Sequence, residues 1–303
     1  PTPAPPSTTA DNNNKTKLVF STGASAAADS KFEIASDGSV STPTAGTNNL
    51  RLGANAGNSI ASGGNENTLI GDEAGTALTT GDQNVAIGFE ALKTEDAHGR
   101  NIAIGYQALK VLDAGANGFN TVIGYQAGVA MNTGTVNTLI GHQAGDALTT
   151  GNNNVAIGHE ALGGEVQGDQ NVAIGVGALQ AQSNSSDTDA KNTAVGYNAG
   201  LSITTGIENT AIGHGALDAN TTGQEITAIG VDAAGALNLT NSGSPEVVCV
   251  GFEAGKSITD GGALTLISTT TVSSGTSTVS ITSGLDSTYK EFPWDFFLRG
   301  NPM

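Results

Sequence analysis

From residue 48 to residue 262 the chain sets short apolar triplets between polar and glycine residues at a nearly fixed interval. The recurring unit reads Asn, a β-branched residue, a small residue, Ile, Gly, as in Asn84-Val-Ala-Ile-Gly88 and Asn171-Val-Ala-Ile-Gly175. Aligned on its glycine, it recurs at Gly53, Gly71, Gly88, Gly105, Gly124, Gly141, Gly158, Gly175, Gly196, Gly213, Gly230 and Gly251. Seven of the eleven intervals are 17 residues and the others are longer, as expected when extra residues enter the loops of a 17-residue unit.

Counting that glycine as position 0, position −1 is Leu, Ile or Val in all twelve copies and +3 is always Ala. Position −4 is Asn in the first ten copies, then Ile226 and Val247. Positions −3 and −1 share one face of an extended strand. Both are rich in β-branched residues, which suit strands, and the pattern predicts that this pair points inward. The glycine relieves a bend, the Asn reads as a turn residue, and Thr79-Thr-Gly81, Thr149-Thr-Gly151 and Thr204-Thr-Gly206 supply a second turn. Each unit is thus predicted to be a coil of turn, short strand, bend, second short strand and turn. Segments such as Gly88-Phe-Glu-Ala-Leu-Lys93 have mild helical propensity, but a glycine and a turn every few residues leave no room for a helix of ordinary length. The expected fold is all-β: a parallel β-solenoid, or β-roll, of twelve coils over residues 48–262, roughly 55 Å long at the usual strand spacing.

Two internal copies, Thr68–Leu92 and Thr138–Leu162, differ at only six positions: 72, 73, 76, 82, 83 and 89. None of the six is an aliphatic residue, Ala or Gly, so the varying positions are expected to face outward.

Outside the repeat, residues 1–15 read as an extended Pro- and Asn-rich tether, with docking to a larger particle as its candidate role. Residues 16–47 read as a β cap: Lys17–Gly23 and Lys31–Val40 are strand-like, the latter with an Asp37-Gly38 turn. Capping protects the open edge of the first coil. Residues 263–303 read as a C-terminal β segment, an incomplete β-sandwich. Phe20, Phe32, Phe292, Trp294, Phe296 and Phe297 bring bulk to these ends, for a capping core.

Composition narrows the picture. With 43 glycines and 4% aromatics the interior must be thin, which points to packing shared between chains. The net charge of −17, with 11 scattered basic residues, argues against nucleic acid and against an anionic membrane surface. Cys249 is the sole cysteine. No apolar run is long enough for a membrane helix, and the N-terminal residues lack signal-peptide character. The absence of an initiator Met is read as processing or trimming.

The Asn-x-Ala-Ile-Gly columns resemble the head repeats of trimeric autotransporter adhesins, which are similar to repeats in bacteriophage tail fibres. The resemblance covers about residues 48–262. It implies three chains, each a left-handed parallel β-roll, forming a stiff extracellular homotrimeric rod. The chain departs from the family in its longer unit and in Ala where Ser is common. It ends in Asp286–Met303, unlike the amphipathic membrane anchor of an autotransporter. Leu264–Tyr289 instead resembles the start of a β-sandwich of marine phage virion proteins. The expected function is therefore a non-enzymatic virion fibre used in host attachment, held to virion or tail proteins through the N-terminal segment. A bacterial surface adhesin and a fibre-borne polysaccharide hydrolase are the alternatives.

Position +1 is the most distinctive variable column: Phe89, Tyr106, Tyr125, His142, His159, Tyr197, His214 and Phe252. Successive coils would stack these rings into a ladder. The alternatives are a rail for host glycan or, at His142 and His159, a metal or anion site. Position +2 holds acids interrupted by amides (Glu73, Glu90, Gln107, Gln126, Gln143, Glu160, Asn198, Asp232 and Glu253) and reads as a solvated face. Asp96 and His98, in the Lys93–Arg100 stretch, are the one local cluster with catalytic residue types, read as a solvated loop. Cys249 reads as a buried, inert thiol. No motif implies a cofactor.

Overall fold

The computed structural model describes residues 18–22, 29–34, 40–42, 45–186, 188–239 and 247–256. Residues 1–262 and 263–303 form two separate units. The tether and the C-terminal segment lie outside the described residues, as does the Asp37-Gly38 turn.

Strands β1 (Leu18–Thr22), β2 (Asp29–Ile34) and β3 (Val40–Ser41) make a three-stranded antiparallel sheet. From Leu50 onward the chain is a β-solenoid. Twelve short strands, from Leu50–Leu52 to Val247–Val250, stack in coil order into one parallel sheet. The register is column on column: Val155 lies between Thr138 and Val172, and Ile157 between Ile140 and Ile174. The longer intervals are absorbed away from the strands, so Ile174 still faces Val195 across the 21-residue step.

Among the described residues the second strand expected in each coil is, with one exception, not formed. Apart from one two-residue pair, Gly168–Asp169 with Thr188–Asp189, the return path is a stack of turns. Its backbone breaks extended geometry at two places. Position +2 is left-handed, as at Glu90 (φ 54°) and Gln107 (φ 57°), and so is +4, as at Leu92 (φ 51°) and Gly145 (φ 57°). These turns still bond coil to coil, for example Gly145 N–H to the Ala161 carbonyl at 3.0 Å.

The inward face is the opposite of the one the pattern predicted. In strand after strand the middle residue, −2, is buried, while −3 and −1 are half-exposed. The asparagine decides this, because −4 shares a face with −2. It is not a turn residue. It is fully inside, in an amide ladder that satisfies the backbone of the next coil. Asn137 Oδ1 accepts the Asn154 N–H at 2.9 Å, and Asn137 Nδ2 donates to the Gly151 carbonyl at 2.9 Å. Asn154 repeats the pattern with Asn171 N–H and Gly168 O, both at 2.9 Å. Where the Asn column ends, the Ile226 N–H closes the ladder on Asn209 Oδ1 at 3.0 Å.

The rest of the interior is a volume exchange between −2, +4 and +7. Leu at +4 (Leu92, Leu109, Leu162, Leu179, Leu217) occurs where −2 is Ala, and all five are fully buried. Where −2 is Leu69 or Leu139, the neighbouring +4 positions are glycines. A Cβ on Gly75 would stand 2.8 Å from Leu69 Cδ2, and one on Gly145 3.0 Å from Leu139 Cδ2. Position +7 closes the core with Leu78, Leu112, Met131, Leu148, Ile203 and Leu237. The zero-position glycine is required by close stacking: a Cβ on Gly124 would lie 2.0 Å from the Gly141 carbonyl oxygen, at φ +147°.

Candidate interaction surface

The ladder forms. Ring centroids are 5.4 Å apart for Phe89–Tyr106, 5.1 Å for Tyr106–Tyr125 and for Tyr125–His142, and 4.9 Å for His142–His159, all stacked. Val176 interrupts it, and Tyr197–His214 restarts it at 5.2 Å. Phe252 stands exposed on the last coil. Because one coil rise nearly equals one stacking distance, each interior ring is covered on both faces by its neighbours. The rail therefore offers ring edges and polar rims outward. His159 Nε2 lies 3.8 Å from Glu160 Oε1, and His214 Nδ1 3.7 Å from Asp232 Oδ1.

The +2 column beside the ladder is more organised than a solvated face. Gln126 Nε2 donates to Gln107 Oε1 at 3.0 Å, and Gln107 Nε2 to Glu90 Oε2 at 2.7 Å. Glu90 is buried and also binds Lys110 at 2.7 Å and Lys93 at 2.6 Å; Lys93 bridges on to Glu73. Hydrogen bonds from Lys110, then Lys93 and Gln107, lower the Glu90 pKa to about 2, and those to Glu73 and Glu90 raise Lys93 to about 12. A carboxyl whose folded pKa is depressed stabilises the fold above its unfolded pKa, and loses that contribution as pH falls through the folded value. Glu90→Gln is therefore expected to flatten the acid limb of stability between about pH 4.5 and 2, and to leave its neutral-pH slope unchanged, in denaturant titrations across pH.

Among the described residues, the outward side of the sheet packs against no other element of the chain. Position −1 carries Ile70, Ile87, Ile104, Ile123, Ile140, Ile157 and Ile174 in unbroken succession, and −3 is Thr or Val apart from Leu50 and Ile102. Ile102, Ile212 and Ile229 are 36–37% exposed. No copy of either column carries a charge, although both face outward. An ordinary solvated sheet face alternates to polar residues.

Cys249 occupies a −2 position, where burial raises its thiol pKa. The Lys93–Arg100 stretch departs from the solvated loop expected of it: Glu95 is completely buried at +7. So are Glu165, Gln182 and Asn220. Apolar periodicity passes over them, but their alignment under Leu78, Leu112 and Leu148 marks them as interior. Among the described residues no helix is long and apolar enough to cross a membrane. The chain matches no protein-family profile, no curated protein and no solved structure.

Proposed function

We propose that the chain is a structural subunit of an extracellular rod, a homotrimeric virion fibre that carries host-attachment functions away from its base. The observation that supports this is the outward pair of β-branched columns, neutral in every coil of a chain with net charge −17. A contiguous apolar strip running the length of a solenoid is an association surface. Three copies meeting around an axis would bury it in a closed, symmetric assembly. Such packing would also thicken an interior that is mostly Ala, Gly and single Leu residues in one chain. The resemblance of the repeat to adhesin heads and phage fibres supports three as the number, and the N-terminal segment as the attachment to virion or tail proteins.

Light scattering after size-exclusion chromatography tests the number directly. A mass of three times 30.0 kDa is expected, and a stable single-chain mass overturns the reading. A surface adhesin whose ring ladder binds host glycan is the competing reading. The covered ring faces argue against it, because sugar C–H groups would need them open. Replacing Tyr106, Tyr125 and Tyr197 together by Ala is expected to leave binding of the labelled rod to host cells unchanged. Loss of binding, with assembly mass intact, would favour the adhesin.

A further inference from the structure

We infer that Glu95, Asp96, His98 and Asp113 form a site for one divalent transition-metal ion of the zinc class, which fastens one coil to the next. Each of the four offers a ligand atom, and all these atoms lie within 4.8 Å of one another. The solenoid brings them together by column. Asp96 and Asp113 both occupy +8, one coil apart, where the neighbouring coils carry Thr79, Asn132 and Thr149. Glu95 projects from +7 beneath them, and His98 closes the same turn.

Two observations beyond the gathering of acids point to a cation. The first is a donor deficit at a buried charge. Glu165 is the structural counterpart of Glu95, at the same +7 position and equally buried. Its carboxylate is saturated by the protein: Oε1 accepts from the N–H groups of Val166, Gln167, Gly168 and Asn184, and Oε2 from Asn184 Nδ2. Glu95 has only the His98 N–H at 3.0 Å and the Ala114 N–H at 3.2 Å. Its other near neighbours are an imidazole and two carboxylates. Among the described residues no Lys or Arg forms an ion pair with any of the three acids. A buried carboxylate needs compensation, and here the protein supplies less of it than it does seventy residues later.

The second observation is the imidazole. His98 Nδ1 is shielded from solvent and makes no hydrogen bond. It stands 3.3 Å from Glu95 Oε1. Ligands about 2.0 Å from a tetrahedral zinc lie about 3.3 Å from each other, so the pair already has the spacing of one edge of such a site. One nitrogen with three carboxylates suits zinc and its first-row neighbours. Calcium and magnesium prefer oxygen alone. The ion would balance the buried Glu95 charge and the stacked Asp96–Asp113 pair, and would join the third coil to the fourth through Asp113.

The test uses the full-length chain, freed of metal with a chelator and titrated with zinc chloride by calorimetry. Bound zinc is counted by mass spectrometry after desalting. One zinc per chain is expected. Asp113→Asn, an exposed substitution that should leave the fold unchanged by circular dichroism, is expected to weaken binding at least tenfold, and His98→Ala likewise. The His142→Ala, His159→Ala double variant is expected to bind as the parent does. Absence of stoichiometric zinc, undiminished binding in Asp113→Asn, or loss of binding in the ladder variant instead would each overturn the site.

Discussion

If the chain forms the proposed trimer, replacing Ile140 and Ile157 together by lysine is expected to reduce it to single chains while leaving each solenoid folded. Both side chains sit at −1 on neighbouring coils, half-exposed and pointing away from the interior. In an isolated chain two lysines there can extend into water, so the cost to the coil itself is small. In an association that covers the strip, each ammonium must be buried without a partner, at about 3 kcal/mol or more apiece. With every copy carrying two, the association should fail outright. The readout is the light-scattering mass, with the β-type circular dichroism spectrum as the check on folding. The same double substitution at Asp82 and Gln83, exposed positions that already vary between the two internal copies, should not change the mass. If the Ile140/Ile157 variant keeps the parent mass, the strip is not the seam.

Asn137→Ala is expected to be among the most damaging single substitutions in the solenoid, lowering stability by about 3–5 kcal/mol. Its amide serves two coils at once: Oδ1 receives the Asn154 N–H, and Nδ2 reaches the Gly151 carbonyl. Alanine leaves a buried donor and a buried acceptor unsatisfied and opens a hole between them. The effect should appear as a lower denaturant midpoint. Thr138→Val, one residue along and outward-facing, should stay within about 0.5 kcal/mol, since Thr and Val both serve that column. Equal effects from the two substitutions would refute the ladder as the element that fixes the coil.

The contrast between these adjacent residues also shows what the amino-acid pattern could and could not convey. The period, the strand at each Ile, the parallel stacking and the gathering of rings at +1 all followed from columns repeated twelve times. Which face turned inward did not. A three-residue strand alternates only once, so β-branched residues at −3 and −1 could be read as core as easily as surface. The deciding residue was a polar one. Asn at −4 lies inside because its amide replaces backbone partners that the tight coil cannot otherwise supply, and hydrophobicity carries no trace of that. The same blindness hid Glu95, whose burial is visible only when +7 is compared across coils. The missing second strand has a different cause: acids and amides at +2 adopt left-handed geometry, which ordinary propensity does not anticipate for Glu or Gln.

The six differences between residues 68–92 and 138–162 all fall at positions that are not buried. The two stretches are therefore interchangeable as far as the interior is concerned, and each coil adds its strand only to the strands before and after it in the sheet. A genetic exchange between them, in either direction, would remove or insert a seventy-residue block with matched ends on both sides. The product would have the same cross-section and a length changed by four rungs, about 19 Å at the usual strand spacing. A molecule built this way carries its own ruler, which recombination can reset in whole steps without redesigning a single contact.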